Sequence, residues 1–166
     1  MEKKWFVFYT KSRWEKKVNG YLQKFGFEPY LPIQKVLRQW SDRKKKVDAP
    51  LFSSYIFVHE YEHRIQEVLK VPGISWNIRH NGRPAELRQN ELEMIRRFID
   101  SGLFIETTSE ADLDPGDRVK VIDGPLRGAS GYYTGPYSEK KFYVILETID
   151  QVMRVSIDKR LLEKEG

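Results

Sequence analysis

The chain contains no cysteine. Disulfides and thiolate metal sites are therefore excluded, which suits a reducing compartment, and the cytoplasm is expected. Long hydrophobic runs are also missing. The apolar run near the start, Trp5 to Tyr9, is too short for a signal peptide or a membrane span, so no membrane partner is expected. There is no Gly-rich phosphate loop, nucleophile elbow or paired acid–base signature, and no internal repeat or low-complexity tract. His59-Glu60-Tyr61-Glu62-His63 does fit H-E-x-x-H, the zinc protease pattern. That chemistry needs both histidines one turn apart on a helix in a cleft, plus a third ligand. Here the run begins at the end of a strand, and His80 is the only other histidine. No catalytic residue, metal or cofactor is assigned, and the chain is expected not to be an enzyme.

What is present is a soluble composition, 40% apolar and 32% charged, in 166 residues. That length holds one ordinary domain or two small ones, each with a thin core. The net charge of +5 is unevenly spread: residues 1–100 are basic and residues 101–166 mildly acidic. Two units with different partners follow, the basic one suited to nucleic acid.

The stretch Pro50-Leu51-Phe52-Ser53-Ser54-Tyr55-Ile56-Phe57-Val58 organises the rest. It reads as a strand, with Leu51, Tyr55 and Phe57 on one face and Phe52, Ile56 and Val58 on the other. Both faces are apolar and need cover. Two readings stand: a fully buried central strand, or a sheet with helices on one face and a partner protein on the other.

Taken in order, Trp5 to Tyr9 is a first strand. Ser12 and Glu15 have capping-box spacing, and Trp14, Val18, Tyr21, Leu22 and Phe25 form a helical apolar stripe ended by Gly26. Glu28 to Leu31 and Gln34 to Trp40 are extended. Ser41 to Lys46 is the basic tip of a hairpin, either solvated or facing phosphates. Ile65, Val68 and Leu69 mark a second helix, and Ile74 to Ile78 a strand. Asn90 and Glu93 have N-cap spacing ahead of a third helix striped by Leu92, Ile95 and Ile99. The order to Ile78 is βαββαβ, the ferredoxin-like arrangement. Residues 104–112 read as a polar linker. Beyond it, short strands and glycine turns predict a small β-barrel. The expected fold class is α+β, with domains 1–103 and 113–166.

Trp5-Phe6-Val7-Phe8-Tyr9, Pro50 to Val58 and Pro72-Gly73-Ile74 resemble the N-terminal domain of the NusG family. Pro115-Gly116-Asp117-Arg118-Val119-Lys120-Val121-Ile122-Asp123-Gly124-Pro125-Leu126-Arg127-Gly128 resembles the KOW motif, with Gly116, Gly124, Pro125 and Gly128 at its turns. The resemblance implies an elongation or antitermination factor whose N-terminal domain docks on the clamp helices of the RNA polymerase β′ subunit. Such a factor bridges the nucleic-acid cleft and suppresses pausing or termination, and its SH3-like KOW barrel recruits a further factor. Tyr9, Phe52 and Tyr55 match the family's clamp-contacting aromatics, with Leu92 and Ile95 near the pocket's helical wall. Lys11, Arg13 and Lys17 match a region that approaches non-template DNA, with Trp14 either core or base-stacking. Arg43, Lys44, Lys45 and Lys46 are the further nucleic-acid candidates, toward DNA or nascent RNA. Ile149 matches a barrel contact for a small-subunit ribosomal protein or Rho, while Ala129 stands where housekeeping members have phenylalanine. The string Arg38 to Lys46 and the form Leu51-Phe52-Ser53-Ser54-Tyr55 resemble the UpxY-type, RfaH-like paralogues. A monomer is expected. The alternative is a KOW-type RNA-binding or ribosome-associated protein.

Overall fold

A computed structural model describes residues 1–109, 116–134 and 141–165. The chain divides into two units, Met1–Gln89 and Asn90–Gly166. The first runs β1 (Lys4–Thr10), α1 (Glu15–Lys24), β2 (Glu28–Tyr30), β3 (Ile33–Gln39), β4 (Lys44–Pro50), β5 (Tyr55–Glu60), α2 (Ile65–Leu69) and β6 (Ile74–Asn77). The short pieces β7 (Arg79–His80), β8 (Arg83–Pro84) and β9 (Glu86–Leu87) complete it. Its main sheet has the order β2-β5-β1-β6, every pair antiparallel, with β9 also on β1. That is the ferredoxin-like order predicted from the sequence.

The core lies between one face of this sheet and the two helices. Phe6 and Phe8 of β1 and Ile56 and Val58 of β5 meet Val18 and Leu22 of α1 and Ile65 and Val68 of α2. Val18 and Leu22 are four residues apart and share a helix face, which is why the stripe was legible. Phe25, expected in that stripe, is 54% exposed because α1 has ended before it. The end is a Schellman motif: Phe27 N–H donates to Leu22 O, Gly26 N–H donates to Gln23 O, and Gly26 takes φ 85°.

The start of α1 departs from expectation. Trp14 occupies the N-cap position without a side-chain cap, and Arg13 adopts φ 65°. Ser12 therefore makes no capping box with Glu15. The Glu15 carboxylate instead accepts the Ser54 N–H at 3.0 Å. A half-buried turn residue with no ladder partner for its N–H is the better donor for a buried carboxylate.

That turn also corrects the central strand. Residues 51–54 are not extended; Ser54 has φ 66°, its carbonyl accepts from Thr10 N–H, and β5 starts at Tyr55. Period-two counting through 51–54 fails as a result. Phe52 lands beside Phe57, ring centroids 6.4 Å apart, not with Ile56 and Val58. The basic hairpin is as expected: β3 and β4 form a separate two-stranded sheet from Ile33↔Pro50 to Gln39↔Lys44. Lys44 to Lys46 lie on β4, so their side chains alternate between its faces instead of crowding one tip.

The second unit holds most of α3 (Gln89–Asp100), then β10 (Glu106–Ser109), β11 (Asp117–Val121), β12 (Ser130–Thr134), β13 (Lys141–Leu146), β14 (Gln151–Val155) and β15 (Leu162–Lys164). The strand order β10-β14-β13-β12-β11-β15 makes the small barrel. Since α3 begins at Gln89, Asn90 lies inside the helix rather than capping it. The expected linker is partly structured: Thr107, Thr108 and Ser109 suit an edge strand, and 106–109 pair with Gln151–Arg154 of β14. Pro115 and residues 110–112 lie outside the described residues. The KOW turn joins β11 to β12. Gly128, at φ 91°, donates its N–H to Val121 O and folds the turn back over buried Leu126.

Within this unit α3 packs on the barrel. Buried Glu91 accepts from Thr148 N–H at 3.2 Å and from Thr148 Oγ1 at 2.6 Å. Phe98 stacks near Phe142 with centroids 6.2 Å apart.

Candidate functional site

The sheet face opposite α1 and α2 is aromatic from edge to edge. Register sets Tyr9 directly opposite Tyr55 on one side and Trp76 on the other. The Tyr9 ring lies 4.8 Å from Tyr55 and 5.4 Å from Trp76, stacked on the latter, and the two tyrosine hydroxyls share a 3.1 Å hydrogen bond. Tyr9 and Tyr55 are half-buried, whereas Trp76 is 61% exposed. Such a row is rigid, amphipathic and suited to receive an apolar partner.

Elsewhere on that face Trp5, Tyr30 and His59 are half-buried. Val7 and Phe57 are fully buried and Phe52 is 2% exposed. Phe52 thus packs edge-on against Phe57 rather than presenting a free ring. Leu92 and Ile95, expected on the wall of an open pocket, are buried in the second unit, as is Ile149 beside the Thr148–Glu91 contact. The opening expectation of a wide exposed apolar face therefore narrows to the Tyr9–Tyr55–Trp76 ledge. Trp76 was not among the residues singled out from sequence; its signal was its place on a strand that pairs with β1.

The basic candidates fall into two groups. Lys11 and Lys17 sit over the Trp14 ring at 5.2 and 4.8 Å, and Trp14 packs against the core, the first of the two roles expected for it. Gly73, at φ 92°, is needed beneath it, since a Cβ there would come within 2.7 Å of Trp14. On the hairpin, Arg43 and Lys45 flank the Trp40 ring at 6.0 and 4.8 Å, and Trp40 is 43% exposed.

The H-E-x-x-H reading falls on geometry. His59 lies on β5, stacked on Trp5 and bonded to Glu28 at 3.0 Å. His63 lies in a 3₁₀ turn against Tyr61. The two histidines do not share a helix, and no metal-binding cluster occurs among the described residues. On the barrel, hydrogen bonds from the Arg160 guanidinium, then from its backbone N–H, hold Asp158 down at about 2; the pair is exposed and serves only its local turn.

A ferredoxin-like module with an aromatic ledge and flanking cationic surfaces, followed by a small β-barrel, defines a binding protein of α+β class. The family described as "Transcription termination factor nusG" matches residues 3–96. The chain belongs to the NusG family. It is 27% identical over 147 residues to the transcription termination/antitermination protein NusG of Pseudomonas aeruginosa, covering 79% of this chain and 80% of that one. The NusG of Neisseria meningitidis is 24% identical over 180 residues and 99% of both chains. A solved structure described as "Domain interaction in Thermotoga maritima NusG" covers 100% of this chain and 99% of its own, with TM-score 0.61 and 22% identity, which supports the shared fold. The chain is thus NusG-like, a member of a family of transcription termination and antitermination factors.

Proposed function

We propose that the chain is a transcription elongation and antitermination factor that docks its first unit on the clamp helices of the RNA polymerase β′ subunit, bridges the nucleic-acid cleft and suppresses pausing or termination. It acts as a binding factor, not an enzyme, in the cytoplasm. The observation that carries this reading is the exposed Trp76 stacked on Tyr9, whose other side meets Tyr55, in a chain of this family. A helical hairpin presents apolar side chains at i, i+3 and i+4, and an aromatic row across three strands accepts such a ridge.

The barrel recruits a further factor, a small-subunit ribosomal protein or Rho, through the region of Ile149. Ile149 is buried in this conformation and Thr148 is held by Glu91, so recruitment requires α3 to release the barrel. The hairpin string Arg38 to Lys46 and the Leu51-Phe52-Ser53-Ser54-Tyr55 turn support a specialised, operon-specific member over a housekeeping one.

The test is binding of the purified chain to a β′ clamp-helix hairpin, followed by single-round transcription on a pause-containing template. Saturable binding with shortened pauses is expected. No binding to the clamp hairpin, with retained binding to free ribosomal RNA, would favour the RNA-binding alternative.

A further inference from the structure

The strand β10 is an unusual member of the barrel. Glu106-Thr107-Thr108-Ser109 brings no apolar side chain, and all four residues are half-buried. It ends the strand order and pairs with β14 alone among the described strands. So short and polar an edge strand holds mainly through its backbone ladder, and opens at low cost. One side chain adds to that hold. The Glu106 carboxylate accepts from Arg154 Nη2 at 3.1 Å and from Lys141 Nζ. Arg154 stands directly opposite Glu106 on β14, and Lys141 lies one strand further, on β13. The carboxylate thus reaches over β14 and ties three strands together. Among the described residues no other carboxylate pairs with either cation, and Arg154 Nε is buried without a partner. Without Glu106, like charges on adjacent strands would repel each other.

Two neighbouring residues of β13 anchor both ends of the segment that leads into β10. Phe98, near the end of α3, stacks on Phe142, and Glu106 bonds Lys141. The connection between these anchors is built rather than slack. Ser101 Oγ donates to Phe98 O at 2.6 Å and accepts the Leu103 N–H at 3.1 Å. Gly102 takes φ 75°, the left-handed turn that ends a helix, and Ile105 is 2% exposed. Lifting Glu106 therefore pulls on Ile105 and on the last turn of α3. At its other end α3 holds Thr148 through Glu91, beside buried Ile149. Helix and strand grip the barrel as one clip, and Glu106 is its closing end.

We propose that residues 105–109 are a releasable strap, latched by Glu106 on Lys141 and Arg154, whose release loosens α3 from the barrel and uncovers Ile149. The strap regulates the barrel surface of the recruitment reading and rests on that reading for its purpose. Its polar strand makes it the first part of the unit to open. The Glu106 side chain is 33% exposed, which leaves the latch within reach of competing ions.

The experiment is hydrogen exchange of the full chain, read by mass spectrometry. Glu106→Gln should speed exchange about tenfold in β10 and α3 together, while β11 and β12 stay as they were. At about 1 M salt the unmodified chain should approach the Glu106→Gln pattern, and the variant should change little. Glu67→Gln breaks an exposed pair with Lys70 on α2 and is the charge-matched control; it should leave both segments unchanged. The chain has no cysteine, so a single disulfide can be placed without competing thiols. Ser109 and Gln151 stand opposite each other on β10 and β14, within bridging distance for antiparallel partners. Oxidised Ser109→Cys with Gln151→Cys should slow exchange in α3 below that of the unmodified chain, and keep it slow when Glu106→Gln is added. Faster exchange in β10 with α3 unmoved, or a rise spread equally over β11 and β12, would overturn the strap. So would a bridged strand that leaves α3 as it was. Should the bridge not form, the Glu106→Gln and Glu67→Gln comparison still decides. Clamp-hairpin binding measured in parallel separates the two ideas: if it persists while α3 ignores Glu106, only the strap fails, and if it is absent while α3 responds, only the transcription reading fails.

Discussion

At the scale of single residues, two aromatics separate binding from stability. Trp76 stands 61% exposed on a sheet edge and touches Tyr9. Trp76→Ala should leave the melting temperature nearly unchanged and weaken clamp-hairpin binding by about 2 kcal/mol, roughly 30-fold, as titration calorimetry would read. Phe52 is the opposite case. Its ring is buried against Phe57, so Phe52→Ala should destabilise the fold by about 3–5 kcal/mol in urea unfolding. Unchanged stability in that variant would mean that the Phe52 ring is not held in the core. The face on which Phe52 lies was not legible in the sequence, because one positive-φ residue, Ser54, reverses an alternation that every side chain from Leu51 to Val58 appeared to continue.

At the scale of elements, the hairpin and α3 carry the testable consequences. The β3–β4 hairpin pairs only with itself. Its cations at the tip are therefore expected to matter little for the fold. Neutralising Arg43, Lys44, Lys45 and Lys46 together should flatten the salt dependence of binding to elongation complexes by about 0.7 to 0.9 per lost phosphate contact, with little change in stability. An identical slope would assign the tip to solvation. On α3, Thr148→Val removes the hydroxyl donor to buried Glu91 and keeps the backbone N–H donor. Losing that one charge-assisted bond should cost about 1–3 kcal/mol and raise hydrogen exchange in α3 and β13 together. Exchange confined to β13 would show that Glu91 does not couple the two. The helices themselves were readable because Val18 and Leu22, or Ile65 and Val68, repeat at helical spacing on a buried face. The first-turn capping was not, because Glu15 found its donor 39 residues away in the chain.

At the scale of the whole molecule, the sequence places a boundary near residue 103, while contacts group α3 with the barrel from Asn90 onward. A fragment ending at residue 103 keeps α3 but loses Phe142 and Thr148, its partners on the barrel. It should bind a hydrophobic dye more strongly than the full chain and aggregate at lower concentration, which light scattering would show. Equal dye binding would mean that α3 needs no barrel cover. The sequence by itself determined the βαββαβ order to Ile78, the ferredoxin-like topology, the barrel and the family, because these rest on local periodicity, turn residues and short motifs that neighbours along the chain specify. Only the tertiary structure decided which aromatics stay open. Exposure of Trp76, burial of Phe52, Leu92 and Ile95, and the Glu15–Ser54 bond depend on segments far apart in sequence meeting in space, and no local pattern records where they meet.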